Sequence, residues 1–315
     1  MIAHFAQKKV FHPYSLVYIL LTSLLLLYST VNYAKQIAFS FDDGLNPTAN
    51  FQANSINQAL LNQLKTSNIQ AMIFPSYSKI GDFQGKQLVR IWGEHGHLIG
   101  NHSAFHQNLN HPDVSAHDYI KSIQINESIF KDLPNYTYRF RFPYLKEGDS
   151  IQKRDQVRTW LQKNHYLPSN VSIDASDWFY NLKYLELIQA QQPEKLALLK
   201  RAYLAHLLDR AHYYDTLSVQ LLKRSPKHIL LLHTNAINAA YLTDIIGAFN
   251  SESWSFININ EALNDPIYNL YSTNLPAGES IIWSLAKAKG FLNLRYPAED
   301  SPYEIENLRQ HQLID

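Results

Sequence analysis

The sequence predicts an α/β fold: a distorted (β/α)7-type barrel with a long helical insertion and a C-terminal extension. After residue 35, short apolar runs alternate with longer helical runs, which is typical of βαβ units around a parallel sheet. The strand candidates number about seven, which favours a closed or distorted barrel. No glycine-rich dinucleotide fingerprint follows the first strand, and this weakens the alternative of an open doubly wound sheet.

Composition and periodicity place the elements along the chain. The strand candidates are residues 36–41, 70–74, 97–100, 138–141, 171–173, 228–232 and 254–257. The helix candidates are residues 51–66, 85–95, 116–131, 151–164, 181–224 and 239–249. The stretch 181–224 is longer than a usual crossover and contains Pro193, which disrupts a helix interior, so two helices are predicted there.

The two ends of the chain differ from the barrel region, residues 35–263. Within residues 1–34, Lys8 and Lys9 precede an apolar run that is shorter than the about 20 residues needed to cross a membrane, and Ala34 suits a cleavage site. We therefore expect a signal peptide or N-terminal anchor and an exported protein, periplasmic or extracellular. Contact with the membrane is expected only if this segment is retained. Residues 264–315 are predicted to form an extension packed on the barrel.

Composition excludes several function classes. With 28 basic and 27 acidic residues the net charge is +1, and no basic stripe marks a nucleic-acid interface. The chain has no cysteine, which excludes disulfides, thiolate metal sites and cysteine nucleophiles. Its 20 tyrosines and 15 phenylalanines suit stacking against sugar rings, and equally suit ordinary core packing.

The pair Asp42-Asp43, followed by Gly44, is the most informative feature of the chain. Two adjacent carboxylates at the end of an apolar strand repel each other, and a hydrophobic core does not need them. A divalent cation can hold one carboxylate and leave the other free as a base. His102 and His106 offer two imidazoles at i and i+4, which share one face if the segment is helical. Together these residues predict a metal site of one carboxylate and two histidines.

Ionisable residues stand at or just after the ends of five different strand candidates. They are Asp42 and Asp43, His102 and His106, Arg141, Asp174 and Asp177, and His233. In a β/α barrel the C-terminal ends of the strands converge on one face, where active sites are built. We therefore expect these side chains to share one site.

Five motifs, in this order, resemble those of polysaccharide deacetylases of the NodB-homology class, carbohydrate esterase family 4. They are Ser-Phe-Asp-Asp-Gly at 40–44, His-Ser-Ala-Phe-His at 102–106, Arg-Phe-Pro-Tyr at 141–144, Asp-Ala-Ser-Asp-Trp at 174–178 and Leu-Leu-His-Thr at 231–234. The first two are highly specific in combination. Leu45 and Leu145 depart from the family, which commonly has proline and glycine there, and could reshape the substrate groove.

The resemblance implies which residues bind the metal ion and which residue acts as the base. Asp43, His102 and His106 would bind one divalent ion, Zn²⁺ first, with Co²⁺, Ni²⁺ or Mn²⁺ as alternatives. Asp42 would be the general base, oriented by Arg141.

The resemblance also implies the acid and the substrate contacts. His233 would be the general acid, tuned by the fourth-motif aspartate, for which Asp174 is preferred to Asp177 by position. The backbone N–H of Tyr144 would help stabilise the oxyanion. The walls of the acetyl pocket would be Trp178 and Leu231.

Simpler interpretations stay open. The carboxylate pair could cap a turn before Gly44, the two motif histidines could lie on a surface helix, and Arg141 could pair with a surface carboxylate. His233 and Trp178 could be ordinary core residues. The histidines that fit no motif, predicted to be structural or exposed, are His95, His97 and His111.

The predicted function is a metal-dependent hydrolase that removes N-acetyl groups, or O-acetyl groups with the same machinery, from an exported or cell-envelope polysaccharide. The expected partner is an acetylated carbohydrate polymer or oligomer. One alternative is a hydrolase of a non-sugar cyclic amide, which an export signal argues against. The other is a carbohydrate-binding protein that has lost activity, which the presence of a candidate base, acid and metal ligands argues against.

Overall fold

A computed structural model describes residues 35–295 and 302–314 of the chain. The predicted signal peptide or anchor, residues 1–34, lies outside the described residues. Among the residues described, no helix combines the length and the apolar composition that crossing a membrane requires.

The described residues form nine strands, and seven of these strands make one parallel sheet. They are β1 (Lys35–Asp43), β2 (Met72–Pro75), β3 (Leu98–Asn101), β4 (Tyr136–Phe140), β5 (Lys146–Gly148), β6 (Leu167–Pro168), β7 (Lys227–His233), β8 (Trp254–Phe256) and β9 (Ala277–Gly278). The order in the large sheet is β6-β4-β3-β2-β1-β7, and β8 also pairs with β1. β5 and β9 form a separate antiparallel pair. The sequence did not predict β5, β6 or β9, because these strands are only two or three residues long and too short to show an alternating apolar pattern.

The two edges of the large sheet approach each other across the segment that follows β6. Ser169 N–H donates to Phe140 O of β4 at 3.0 Å, whereas Ile173 pairs with Leu230 of β7 as an isolated parallel bridge. The predicted strand at 171–173 is thus reduced to this bridge, and the barrel is distorted there. The predicted α/β fold class is confirmed.

Helices lie between the strands. They are α1 (Ala53–Thr66), α2 (Tyr77–Ile80), α3 (Phe83–Glu94), α4 (Ala116–Phe130), α5 (Ile151–Lys163), α6 (Asp177–Gln189), α7 (Pro193–Leu222), α8 (Ala236–Ser251), α9 (Ile259–Leu263), α10 (Ile281–Ala288) and α11 (Pro302–Gln310). The long insertion forms two helices as predicted, since Pro193 occupies the first turn of α7, where a missing N–H costs nothing. Its first helix begins at Asp177 rather than at residue 181.

The centre of the sheet is buried on both faces. Residues 37–41 of β1 and 228–232 of β7 are all buried, as expected for parallel strands covered by helices on each side. Trp92 of α3 is fully buried and donates its indole N–H to Asn57 Oδ1 of α1 at 2.7 Å. This core fixes the positions of the strand ends that carry the site.

The chain after residue 264 contacts the barrel through hydrogen bonds outside the large sheet. Ile281 N–H donates to Val171 O at 2.9 Å, and the Tyr268 hydroxyl donates to Lys227 O at 2.8 Å. These bonds connect the C-terminal residues to the two segments that form the isolated bridge, the one that carries Ile173 and strand β7.

Candidate active site

A cavity of ≈ 420 Å³ lies at the C-terminal ends of the sheet strands. Every predicted site residue except Arg141 lines it, and Arg141 contacts the lining residue Asp42. The strands explain this convergence: β1 ends at Asp43, β3 ends immediately before His102, and β7 ends at His233. Parallel strands place these ends on one side of the sheet.

Asp42 is buried and bound to Arg141. Arg141 Nη1 donates to Asp42 Oδ1 at 2.8 Å, while its Nε donates to Ser169 O at 2.9 Å. The guanidinium also lies over the ring of Phe74, 4.1 Å from the centroid. The second oxygen of Asp42, Oδ2, lies 3.5 Å from His102 Nε2. The pairing compensates two buried charges and fixes the orientation of the carboxylate.

Asp43, His102 and His106 bring their ligand atoms together. These atoms all lie within 4.8 Å of one another. His106 Nε2 lies 2.9 Å from Asp43 Oδ1, and His102 Nε2 lies 3.9 Å from the same oxygen. The two imidazole rings meet edge to face with their centroids 5.1 Å apart.

The two histidines do not lie on a helix, although their spacing allows one. Ser103 and His106 have left-handed φ values of 56° and 49°. Ser103 N–H donates to Asn101 Oδ1 at 2.9 Å, and Ala104 N–H donates to Ser122 Oγ at 2.9 Å. Side chains thus take the amides that a helix would bond to carbonyls four residues earlier, and the loop folds back to bring the imidazoles together.

His102 is prepared to act as a ligand. Burial lowers its pKa to about 4, although the charges of Asp42 and Asp43 oppose the shift, so the ring is neutral at neutral pH. Its Nδ1 lies 2.8 Å from Arg141 O and donates to that carbonyl in the neutral ring. This tautomer leaves the Nε2 lone pair for a metal ion.

Asp43 is ionised, and one of its oxygens lacks a donor. Burial would raise its pKa, but His106, His233 and Lys79 hold that pKa well below its usual range. Lys79 Nζ lies 3.2 Å from Oδ2. The buried Oδ1 has no aligned hydrogen bond within the described part of the chain, even though His106 Nε2 is 2.9 Å away. A divalent cation would satisfy this oxygen and both imidazoles, so the residues present fit the predicted metal ion.

His233 is bound to Asp177. The Nδ1–H of His233 donates to Asp177 Oδ1 at 2.6 Å, and its backbone N–H donates to Oδ2 at 2.7 Å. Asn235 and Asn238 donate to the same Oδ2 at 2.9 and 2.5 Å. Burial lowers the pKa of His233, but the adjacent Asp177 outweighs burial and raises this pKa to about 10. His233 is therefore protonated at neutral pH and can donate a proton from Nε2.

The prediction that Asp174 tunes His233 was wrong in its choice of aspartate. Ser176, with φ 51°, turns the chain into α6 and places Asp177, the first residue of that helix, against His233. Asp174 is buried and lines the cavity instead. Burial raises the pKa of Asp174, although the charge of Arg210 opposes the shift.

The remaining predicted residues form the wall of the cavity. Leu231 is buried, Trp178 is half-buried, and Tyr144 is 45% exposed with a left-handed φ of 57°. The ring of Tyr144 meets the ring of His106 with their centroids 4.7 Å apart. Lys79 was not predicted; no motif marks it, and it reaches the cavity because α2 follows β2 directly.

The histidines outside the motifs have structural or exposed positions, as predicted. His97 is buried, and its Nδ1 accepts the Ala71 N–H at 3.1 Å. Burial lowers the pKa of His97 to about 4. His95 is exposed, and so is His111.

Part of the chain is similar to known polysaccharide deacetylases. Residues 31–159 match the family model "Polysaccharide deacetylase". A peptidoglycan-N-acetylglucosamine deacetylase of Bacillus cereus is 29% identical over 144 residues, which cover 45% of this chain and 46% of the relative. The match thus spans about half the length of that curated relative.

Solved structures share the fold at low sequence identity. A CE4-family pseudoenzyme from Bacillus anthracis has a TM-score of 0.50 at 15% identity, covering 74% of this chain and 66% of that one. The chitin deacetylase of Colletotrichum lindemuthianum has a TM-score of 0.50 at 20% identity, covering 73% of this chain and 88% of that one. These two similarities show the fold alone. The family model matches the stretch that carries the first three motifs, and this match agrees with the family that those motifs resemble.

Proposed function

We propose that this protein is a metal-dependent hydrolase that removes N-acetyl groups, or O-acetyl groups by the same chemistry, from an exported or cell-envelope polysaccharide. One observation carries the proposal: a carboxylate and two imidazoles converge beside a buried Asp–Arg pair and a protonated histidine. Ligands for a metal, a base and an acid around one cavity are what amide hydrolysis needs. The match of residues 31–159 to the polysaccharide deacetylase family model supports a deacetylase in particular.

Asp43, His102 and His106 would hold the ion. A carboxylate and two imidazoles suit Zn²⁺, and they also accept Co²⁺, Ni²⁺ or Mn²⁺. Such an ion, when bound, supplies Lewis-acid polarisation of the acyl carbonyl and lowers the pKa of water from about 15.7 to about 7.

The chain's own residues then move the protons. Asp42 accepts a proton from the attacking water. Arg141 bonds to Oδ1 and so holds the carboxylate in place, while Oδ2 is the oxygen that accepts the proton. His233 donates a proton to the leaving nitrogen as the carbon–nitrogen bond breaks. Asp177 holds the ring of His233 through Nδ1, so that Nε2 carries the proton that is given up.

Three further residues would orient the acyl group. Trp178 and Leu231 line the cavity and offer an apolar wall for a methyl group. Tyr144 has a left-handed backbone at the same cavity, and its N–H is proposed to support the developing oxyanion.

The proposed substrate is an acetylated carbohydrate polymer or oligomer. Peptidoglycan is the first to test, since the name of the Bacillus cereus relative specifies it. The composition of residues 1–34 supports export to the periplasm or the exterior, with membrane attachment if the segment is retained.

Acetate release tests the proposal. The purified protein is incubated with peptidoglycan, N-acetylglucosamine oligomers and acetylated xylan, each with added Zn²⁺ and with a chelator. We expect acetate release that the chelator abolishes, and release at least about 10²-fold slower from the Asp42→Asn variant. Metal binding without acetate release from any acetylated sugar would contradict the polysaccharide substrate and favour a cyclic amide. Neither metal binding nor release would favour a protein that only binds carbohydrate.

A further inference from the structure

Residues 174–176, which we name the 174–176 loop, lie directly before Asp177, the residue that binds the proposed acid His233. Asp177 follows directly and binds both the ring and the backbone N–H of His233. Ser176 adopts φ 51° and ψ 39°, a left-handed conformation that is unfavourable for a residue with a Cβ. Such a conformation persists only where surrounding contacts impose it. The contacts of this loop therefore control the alignment of Asp177.

Two side chains of α7 hold the backbone of the loop. Arg210 Nε donates to Asp174 O at 3.2 Å, and His206 Nε2 lies 3.0 Å from Ala175 O. Both side chains are buried. Burial and the charge of Arg210 lower the pKa of His206 to about 3, so its ring is neutral and Nε2–H donates to the carbonyl.

Glu304 of α11 holds the third residue of the loop. Its Oε1 accepts the Ser176 hydroxyl at 2.8 Å and lies 3.4 Å from His206 Nε2. Glu304 is 0% exposed, and its Oε2 has no hydrogen-bond partner among the residues described. Burying a carboxyl group with so few partners is unfavourable, and packing alone would be served better by an apolar residue. Glu304 also faces the charges of Arg210 and Arg295, and its bond to Ser176 is the contact through which it reaches the loop.

We propose that Glu304 is a positioning residue for the acid: through Ser176 it fixes the 174–176 loop, and the loop aims Asp177 at His233. The inference rests on the proposed function of His233. It gives the C-terminal extension a role at the active site, although residue 304 lies outside the stretch 31–159 that matches the family model.

Three single variants of the full chain test the positioning role. Glu304→Ala removes the acceptor, whereas Glu304→Gln keeps an acceptor oxygen at the same place. Asn307→Ala is the matched control, because Asn307 also lies on α11 and its Oδ1 accepts the hydroxyl of Tyr180 in α6 at 2.9 Å, away from the 174–176 loop. We expect Glu304→Ala to lower kcat about 10- to 100-fold with KM changed less than about twofold, since displacement of a catalytic group by about 1 Å has that effect. Glu304→Gln and Asn307→Ala should keep kcat within about threefold.

A double-mutant cycle shows whether Glu304 acts through Asp177. Glu304→Ala should lower kcat much less in the Asp177→Asn background than in the native chain, because the two residues belong to one unit. Additive losses, or an equal loss in Asn307→Ala, would overturn the proposal in favour of a general structural role. If Glu304→Ala does not fold, Ser176→Ala removes the other half of the same bond and leaves α11 unchanged.

Hydrogen exchange gives a readout that does not need activity. Peptides containing residues 174–178 and 233–238 should exchange faster in Glu304→Ala than in Asn307→Ala, while peptides from β2 and β3 are unchanged. Unchanged exchange in the two former peptides would contradict the proposal even if no acetylated sugar were turned over. Faster exchange in an inactive protein would instead support the positioning role and count against the proposed function alone.

Discussion

The two sides of the candidate site are built differently. On the metal side, Asp43 Oδ1 and His106 Nδ1 are buried without a hydrogen-bond partner in the described part of the chain, and both residues have positive φ. On the acid side, both oxygens of Asp177 accept hydrogen bonds, from His233 and from two asparagine side chains. On the metal side a cation would satisfy Asp43 Oδ1, whereas on the acid side protein groups alone satisfy both oxygens of Asp177. Each side should therefore respond differently when it is disturbed.

Loss of a metal ligand should have the largest effect. His102→Ala removes a neutral imidazole from a three-residue ligand set, so metal binding and acetate release should disappear together. Zinc titration of the chelator-treated protein by calorimetry measures the first, and the acetate assay measures the second. Asp177→Asn, on the acid side, is the control and should bind metal like the native chain. Turnover by His102→Ala without added metal would show that the mechanism is wrong.

Loss of the base should separate binding from chemistry. Asp42→Asn keeps an oxygen for Arg141 but cannot accept a proton, so kcat should fall about 10²- to 10⁴-fold. Zinc affinity, measured by the same calorimetry, should stay within about tenfold because Asp42 is not one of the three ligands. Native turnover in this variant would exclude Asp42 as the base.

The acid side should be sensitive to pH. Asp177 raises the pKa of His233 to about 10, so Asp177→Asn should move the alkaline limb of the kcat profile to lower pH. Asp174→Asn, which changes a cavity carboxylate that does not bond to His233, should leave that limb nearer its native position. The pH profiles of both variants decide between the two aspartates. An equal or larger shift for Asp174→Asn would reverse the assignment.

The pair His233 and Asp177 also predicts that the stability of the fold changes with pH. A folded-state pKa raised from 6.5 to about 10 stabilises the protein fully below pH 6.5, and this contribution is lost as pH rises to about 10. Chemical denaturation of the chelator-treated protein should show this decline, and Asp177→Asn should reduce its slope. A slope that is identical in the native chain and the variant would contradict the coupling.

The smallest effect is expected at the cavity wall. Trp178→Ala removes an aromatic surface from the cavity without touching base, acid or ligands, so KM should rise about 2- to 10-fold with kcat nearly unchanged. Trp160→Ala, at a tryptophan that stacks on Tyr166 and does not line this cavity, is the matched control. Kinetics with N-acetylglucosamine oligomers measure both. A large loss of kcat in Trp178→Ala would show that the residue orients the reacting groups.

The residues at strand ends were the easiest part of the site to predict. Asp42, Asp43 and His233 follow apolar runs, and the parallel sheet brings such ends together whatever the loops do. Register even pairs Asp42 with His233 directly across β1 and β7. The same reasoning could not decide whether Asp174 or Asp177 binds His233.

A signal for the correct aspartate was nevertheless present. Asn235 and Asn238 follow His233 closely, and their side-chain amides need an acceptor when they are packed beside it. The acceptor they find is Asp177, which follows directly after the left-handed Ser176 and begins α6. The hydroxyl of Ser176 bonds to Glu304, more than a hundred residues away in sequence, and no local pattern could reveal such a contact.

The sequence by itself determined the α/β class, the order of the main strands and helices, and which three residues form the candidate metal site. The periodicity of apolar residues, the position of a strand end and the chemistry of a side chain are local properties, and each can be recognised within a few residues of sequence. The tertiary structure alone decided the reduced strand at Ile173, the folded-back loop of His102 and His106, the place of Lys79, and Asp177 as the partner of the acid. These features arise from hydrogen bonds between segments distant in the chain, and such bonds depend on where the packed sheet and helices place their donors and acceptors.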